Sequence, residues 1–206
     1  MKILETKNLA IPEIKVIRFA RFNDERGYFT ETFRKSDFNT LPFLKEILFL
    51  QVNESCSKPN VMRGLHFQWN PYVGKLIRTF QGHMVDMVLD IRKNSSTYGK
   101  IIAYNMPSKP DFNYGEWIWI PPGFAHGNFF LEATVIEYFC TGEYNPHCEA
   151  GIMPLSKDID WSICDVAMKK QFDLVVKNGV FLSKKDKEGL SLTQWAADPR
   201  SKFFSI

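Results

Sequence analysis

The 206-residue sequence has few cysteines and no long apolar run. Cys56, Cys140, Cys148 and Cys164 form no C-x-x-C pair, and the chain is longer than the small secreted domains that disulfides hold together. The first residues lack the apolar core of a signal peptide, and no stretch approaches the roughly 20 apolar residues of a membrane span. We therefore expect a cytoplasmic protein with reduced thiols and no membrane partner, although four cysteines could still pair in an oxidising compartment.

The sequence also lacks a strong charge of either sign. Its 26 basic and 23 acidic residues give a formal net charge of +3, and no basic block stands out. Nucleic acid is therefore not an expected partner. The two common glycine-rich phosphate loops are absent as well. An anionic small molecule remains possible, because binding it requires only a few well-placed Arg or Lys side chains.

Closely spaced histidines are the third absence. His66, His83, His126 and His147 show neither H-x-H nor H-x-x-x-H spacing. Where a metal-binding β-barrel has a second histidine two residues after the first, this chain has Gln68. We expect no metal and no cofactor. The alternative is a metal site whose ligands come from strands distant in the sequence.

Short apolar or alternating runs dominate what is present. Separated by Gly and Pro, they favour an all-β sandwich or jelly roll in a single domain, residues 1–206, with the core at about 12–160 and a helical or loop segment at about 161–206. Helical patterns are confined to Arg34–Asn39 and to the tail after Ser156. The predicted strands are Ile14–Phe22, Glu46–Asn53, Lys75–Phe80, His83–Ile91, Ile101–Met106, Glu116–Ile120 and Thr134–Phe139.

Two of these runs flank Gln81-Gly82, which predicts a hairpin between Lys75–Phe80 and His83–Ile91. If the second run is a strand, Asp86 and Asp90 lie on one side of it.

Removal of a proton beside a ketone, with inversion of the carbon, requires a base, a donor for the oxyanion, and an acid on the opposite face of that carbon. In the run 63–68, RGLHFQ, His66 and Gln68 share one face of a predicted strand, as expected of a cleft wall. Lys75 could polarise a carbonyl, and Tyr138 could donate a proton. Each also has a structural interpretation: a buried hydrogen-bonded histidine, a solvated strand-end lysine and a core tyrosine.

Asp186 ends Ser183-Lys-Lys-Asp, which matches the S-x-x-[DE] capping-box pattern at a helix start. As a functional residue, Asp186 would orient His66 and raise its basicity. Asp86 and Asp90 compete for that role, and spacing does not choose among the three.

Taken together, these motifs resemble the dTDP-4-dehydrorhamnose 3,5-epimerase family of nucleotide-sugar epimerases over about residues 12–190. The matching segments are FNDERGYF at 22–29, QVN at 51–53, RGLHFQ at 63–68, GKL at 74–76, QG at 81–82, DIR at 90–92, IPPGFAHG at 120–127, Tyr138, YNP at 144–146, Glu149 and LSKKD at 182–186.

The resemblance implies a metal-free, cupin-like jelly roll that forms a homodimer by exchanging N-terminal strands. It implies that His66 is the base, supported by Asp186, that Tyr138 is the acid, and that Lys75 lies near the enolate oxygen. The expected substrate is dTDP-4-dehydro-6-deoxy-D-glucose, inverted at C3 and C5 to dTDP-4-dehydro-L-rhamnose. The residues expected to bind it are Phe22, Arg26, Glu31, Gln51, Asn53, Arg63, His126, Tyr144, Glu149 and Lys185.

The sequence departs from the family pattern in two places. Glu143-Tyr144 replaces paired aromatics, and the segment between Trp161 and Phe181 is longer than expected. The nucleotide could therefore be dTDP, CDP or GDP, and a single carbon could be inverted. A metal-dependent cupin oxygenase or isomerase, and a non-catalytic sugar- or nucleotide-binding cupin, are the alternatives from other classes.

Overall fold

The structure, a computed structural model, describes residues 1–205. Twelve strands precede a mainly helical C-terminal segment. The strands are β1 (Ile3–Asn8), β2 (Lys15–Ala20), β3 (Phe22–Asp24), β4 (Gly27–Phe29), β5 (Gln51–Ser57), β6 (Met62–Gln68), β7 (Lys75–Asp90), β8 (Ile101–Ser108), β9 (Tyr114–Ile120), β10 (Phe124–Phe130), β11 (Thr134–Cys140) and β12 (Glu149–Gly151). The helices are α1 (Lys35–Phe38), α2 (Val166–Lys177), α3 (Lys184–Lys187), α4 (Leu192–Ala197) and a final 3-10 helix (Pro199–Phe204).

Ten of the strands pair antiparallel in two layers that share β7. We call the layer β1-β2-β9-β7-β11-β5 the front sheet, and the layer β8-β7-β10-β6-β12 the back sheet. Strands β3 and β4 form a separate hairpin. The predicted all-β jelly roll is confirmed.

The predicted hairpin is wrong, because its two strands form the single strand β7. Its first half pairs with β9 and β11, and its second half pairs with β8 and β10, so one 16-residue strand crosses from the front sheet to the back sheet. Gly82 lies at the crossing with φ +94°, where a Cβ would come within 2.5 Å of the Ala133 carbonyl oxygen. Glycine therefore bends the strand here and does not reverse it.

The predicted strand Glu46–Asn53 is also wrong in its bounds. Glu46 has φ +64°, and pairing begins only at Gln51, from which β5 runs to Ser57. The apolar residues before β5 pack on the outside of the front sheet, where Ile47 and Phe49 contact the cluster around Trp119. The residues before β5 are apolar because they pack on the face of the front sheet, although they are not one of its strands.

Three apolar layers hold the fold together. One fills the space between the sheets, and a second joins the front sheet to α1 and the residues that follow it. The third lies between the back sheet and the C-terminal helices, where Trp195 and Phe204 are fully buried. The predicted short helix within Arg34–Asn39 and the helical tail after Ser156 are confirmed. Within residues 1–205, no helix has the length and hydropathy needed to cross a bilayer.

Candidate active site

A polar cleft lies between the two sheets. On its front wall, Tyr138 pairs with Asn53, and Cys140 pairs with both Gln51 and Lys75. Residues paired across antiparallel strands point to the same face, so these side chains from β5, β11 and β7 face the cleft together.

The back wall supplies the facing groups. His66 on β6 pairs with His126 on β10, and Gln68 pairs with Glu149 on β12. The alternation in RGLHFQ correctly places His66 and Gln68 on one face, while Leu65 and Phe67 are buried on the other. The predicted cleft-lining strand is confirmed.

The cleft has two lobes, and four residues line both of them: His66, Lys75, His126 and Tyr138. The first lobe has a volume of about 340 Å³, and the second has about 520 Å³. Further polar residues of the first lobe are Gln51, Asn53, Gln68, Tyr144, Glu149 and Lys185. Further polar residues of the second lobe are Ser55, Arg63, Asn128, Ser183 and Asp186.

A close approach of β6 and β10 sets the position of His66. Gly64 has φ +106°, and a Cβ there would lie 2.6 Å from the Gly127 Cα; a Cβ on Gly127 would lie 2.4 Å from the Arg63 carbonyl oxygen. The register shifts at this point, between the pairs His126–His66 and Asn128–Arg63. Two glycines therefore permit the approach that aligns the two histidines.

His66 Nε2 lies 2.6 Å from Oδ1 of Asp186, 120 residues away in the sequence. Burial favours the protonated form of Asp186, but hydrogen bonds from His66, Ser183 and the Gly64 N–H outweigh it and lower the pKa of the carboxyl group. Asp186 therefore stays ionised beside an imidazole that is 32% exposed to the cleft.

The helix start at Ser183 is confirmed, but the capping box that its pattern predicted is not formed. The Ser183 hydroxyl accepts the Asp186 N–H at 3.1 Å and donates to Asp186 Oδ2 at 2.7 Å. Asp186 therefore does not complete a reciprocal capping box, because its carboxylate is directed at His66. The competing carboxylates lie elsewhere: Asp86 contacts His126 at 2.7 Å, and Asp90 binds Arg92 at 2.8 Å.

Burial shifts the ionisation of the other central groups toward their neutral forms. It lowers the pKa of Lys75 and of His126, and it raises the pKa of Tyr138, Cys140 and Asp86. The Tyr138 hydroxyl therefore remains a protonated acid at neutral pH, which suits a proton donor.

The outer part of the first lobe is a hydrogen-bonded network. Glu149 accepts from both Tyr144 and Lys185 at 2.5 Å. The Gln51 side chain accepts the Tyr144 N–H at 2.8 Å, and the Gln68 side chain accepts the N–H of Asn145 at 2.8 Å. The sequence predicted Gln68 on the cleft face beside His66, but not that Gln68 anchors the turn that carries Tyr144.

Three of the predicted binding residues lie outside both lobes. Phe22 and Arg26 are on the exposed β3–β4 hairpin, where Arg26 binds Asp24 at 2.7 Å. Glu31 binds the N-terminal ammonium group and Arg34. The other predicted binding residues all line a lobe: Gln51, Asn53, Arg63, His126, Tyr144, Glu149 and Lys185.

Sequence reasoning did not assign Cys140 or Asn128 to the site. Strand alternation could have found both, because Cys140 is two residues after Tyr138 and Asn128 is two residues after His126. Within residues 1–205, no group of three or more His, Cys, Asp or Glu side chains is arranged to hold a metal, and all four cysteines are free.

Comparison with known proteins identifies the family. The sequence profile described as dTDP-4-dehydrorhamnose 3,5-epimerase matches residues 8–194. The chain is 37% identical to the enzyme of that name from Methanothermobacter thermautotrophicus over 81% of this chain and 82% of the relative. It is 32% identical to the Escherichia coli enzyme over 94% and 96% of the two chains.

A solved structure supports the same assignment. The dTDP-6-deoxy-D-glucose-3,5-epimerase of Legionella pneumophila, crystallised with dTDP-4-keto-L-rhamnose, superposes with a TM-score of 0.77 at 32% identity, covering 92% of this chain and 93% of that one. The chain is an isomerase that belongs to the dTDP-4-dehydrorhamnose 3,5-epimerase family.

Proposed function

We propose that this protein inverts C3 and C5 of dTDP-4-dehydro-6-deoxy-D-glucose to give dTDP-4-dehydro-L-rhamnose, with His66 as base and Tyr138 as acid. The observation that carries the proposal is the placement of these two groups on opposite walls of one cleft, with Lys75 lining the same junction. Inversion requires that the proton leave one face of the carbon and return on the other.

His66 is suited to accept the first proton. A carboxylate only accepts hydrogen bonds, so the Nε2 that contacts Asp186 carries the imidazole hydrogen, and the lone pair of the neutral ring is on Nδ1. When His66 takes the proton from C3 or C5, the electron pair of that C–H bond moves toward the C4 carbonyl and forms an enolate.

Lys75 stabilises the oxygen that becomes negative. Lys75 lines both lobes and can donate to the C4 oxygen, and because its side chain is buried such a contact is stronger than in bulk solvent. Tyr138 then gives its proton to the opposite face of the same carbon, and proton exchange with solvent restores His66 and Tyr138. A repeat at the second carbon completes the reaction.

The first lobe offers what a nucleotide requires. Tyr144 provides an exposed aromatic face, and Lys185 and Glu149 provide charged and polar contacts. We therefore place the nucleotide in this lobe and the sugar at the junction of the two lobes.

We further propose that the protein acts as a homodimer. Among residues 1–205, the β3–β4 hairpin pairs with no other strand, and Phe22 and Phe29 on it are 52% and 69% exposed. An isolated hairpin with exposed aromatic side chains is marginally stable in water, so a second copy that covers it accounts for both features. In that arrangement Phe22, Arg26 and Glu31 would act at the partner's cleft.

Solvent exchange tests the proposed reaction. We expect dTDP-4-keto-6-deoxyglucose incubated with the protein in deuterated water to gain deuterium at both C3 and C5, as read by NMR or mass spectrometry. His66→Ala should reduce incorporation by about 10²-fold or more, because it removes the base. Label at one carbon would restrict the activity to one centre, and unchanged exchange in the variant would exclude His66 as the base.

A further inference from the structure

A helix of a single turn carries Asp186 to the proposed base. Helix α3 spans only Lys184–Lys187, and a helix that short is not stable by itself. The chain before it is held to the start of β6, because the Met62 N–H donates to the Phe181 carbonyl oxygen at 3.0 Å and the Phe181 N–H donates to the Asn60 carbonyl oxygen at 2.9 Å. These bonds fix where α3 begins, but they leave the side chain of Asp186 free to rotate.

Ser183 makes two hydrogen bonds to the same residue. Its hydroxyl oxygen accepts the Asp186 N–H at 3.1 Å, which closes the first turn of α3. Its hydroxyl hydrogen is donated to Asp186 Oδ2 at 2.7 Å. One serine therefore holds both the backbone and the side chain of Asp186. A residue that only capped the helix would make the first bond and not the second.

The two oxygens of the Asp186 carboxylate have separate partners. Oδ1 contacts Nε2 of His66 at 2.6 Å, and Oδ2 accepts the Ser183 hydroxyl. The Asp186 side chain is only 4% exposed, so its orientation depends mainly on protein donors. A rotation of the carboxylate away from His66 would also break the bond from Ser183. The serine thus favours the orientation in which Oδ1 faces the imidazole.

The orientation of Asp186 in turn determines that of the His66 ring. Within residues 1–205, the contact with Asp186 is the one hydrogen bond of the His66 side chain. The imidazole ring is rigid, so a tilt at Nε2 also moves the lone pair on Nδ1, the proposed base atom. General-base catalysis requires that this lone pair be directed at the proton that leaves.

We propose that Ser183 is a positioning residue for the epimerisation: by holding Oδ2 of Asp186, its hydroxyl aligns the His66 base with the substrate. The inference rests on the proposed function, because it takes His66 as the base from it. Ser183 lines the second lobe, whereas the nucleotide is proposed to lie in the first. Its loss should therefore slow proton removal without weakening substrate binding.

Two substitutions at Ser183 separate this role from helix capping. Ser183→Gly removes the hydroxyl but leaves a residue that is almost as good at a helix start, so its urea unfolding midpoint should be nearly unchanged. Ser183→Thr keeps a hydroxyl that can make both hydrogen bonds. The measurement is the rate of deuterium incorporation from deuterated water into dTDP-4-keto-6-deoxyglucose, at saturating substrate, together with KM. We expect Ser183→Gly to lower the rate roughly tenfold at unchanged KM, as the loss of one hydrogen bond to a charged acceptor would, and Ser183→Thr to retain most of it.

Combination with Asp186→Ala tests whether Ser183 acts through the carboxylate. Without the carboxylate Ser183 has no side chain to orient, so Ser183→Gly should cause no further loss in that background. A wild-type rate in Ser183→Gly, a threonine variant as slow as the glycine variant, or an equal loss with and without the Asp186 carboxylate would overturn the positioning role and leave the epimerase proposal intact. Absence of exchange with the wild-type protein would overturn the proposed function and this inference together.

Discussion

At the scale of single residues, burial affects the charge on Lys75. Burial has the largest effect on its pKa and lowers it, although Cys140, Asp86 and Glu149 act in the opposite direction and Lys185 acts with burial. The ammonium group is therefore lost, as the pH rises, below the usual lysine value of about 10.4.

The pH dependence of kcat/KM tests this point. We expect an alkaline decline below about pH 10.4, because the deprotonated Lys75 no longer neutralises the enolate oxygen. Lys75→Arg keeps its charge throughout this range and should shift the decline to higher pH while lowering kcat. An alkaline limb at the same pH in Lys75→Arg would mean that another group controls it.

The sequence predicted the orientation of site residues only where side chains alternate between the two faces of a strand. RGLHFQ is short and regular, so the common face of His66 and Gln68 followed from period two. The partner of His66 did not follow from spacing, because Asp186 is 120 residues away while Asp86 and Asp90 are nearer in sequence. The family resemblance named Asp186, and the fold shows the contact.

At the scale of elements, Asp158 links the loop after β12 to the start of α4. Its carboxylate accepts the N–H groups of Leu192 and Thr193 at 3.2 and 2.7 Å, together with the Thr193 hydroxyl at 2.7 Å. Burial raises the pKa of Asp158, but these bonds and one from Ser156 outweigh it and lower the pKa overall.

We expect Asp158→Ala to reduce the free energy of unfolding by about 1 kcal/mol, the usual effect of removing acceptors from a helix start. Asp173→Ala is a suitable control, because its exposed pair with Lys169 should contribute at most about 0.5 kcal/mol. Urea denaturation of the three proteins provides the comparison, and equal losses in the two variants would refute the anchoring role.

Strands were predicted least well where the same apolar run is compatible with two different structures. Gln81-Gly82 between β-like runs is typical of a hairpin, yet a glycine with positive φ also lets one strand bend between sheets. Residues 46–50 are apolar enough for a strand but cover one instead. Strand β1, ILETKN, has only Ile3 and Leu4 as apolar residues, too short a run to predict a strand. Whether such a run forms a strand depends on the strand that it pairs with, and a single sequence does not identify that partner.

At the scale of the whole molecule, the exposed hairpin determines how the proposed dimer is tested. His66→Ala and Arg26→Ala should each impair catalysis as separate homodimers. If Arg26 acts at the partner's cleft, a mixed dimer contains one site with both native residues. Exchange of the two variants at equal concentration should then restore about one quarter of the wild-type rate. No recovery after proven subunit exchange would show that Arg26 acts within its own chain or not at all.

The central claim is that His66 and Tyr138 act on opposite faces of the sugar, and Tyr138→Phe tests it most directly. The measurement is NMR of dTDP-4-keto-6-deoxyglucose with this variant in deuterated water, following deuterium content and configuration at C3 and C5 together. We predict that His66 still exchanges the protons, so that label enters while inversion falls by about 10²-fold or more. Equal loss of exchange and inversion would contradict the division of roles between the two walls.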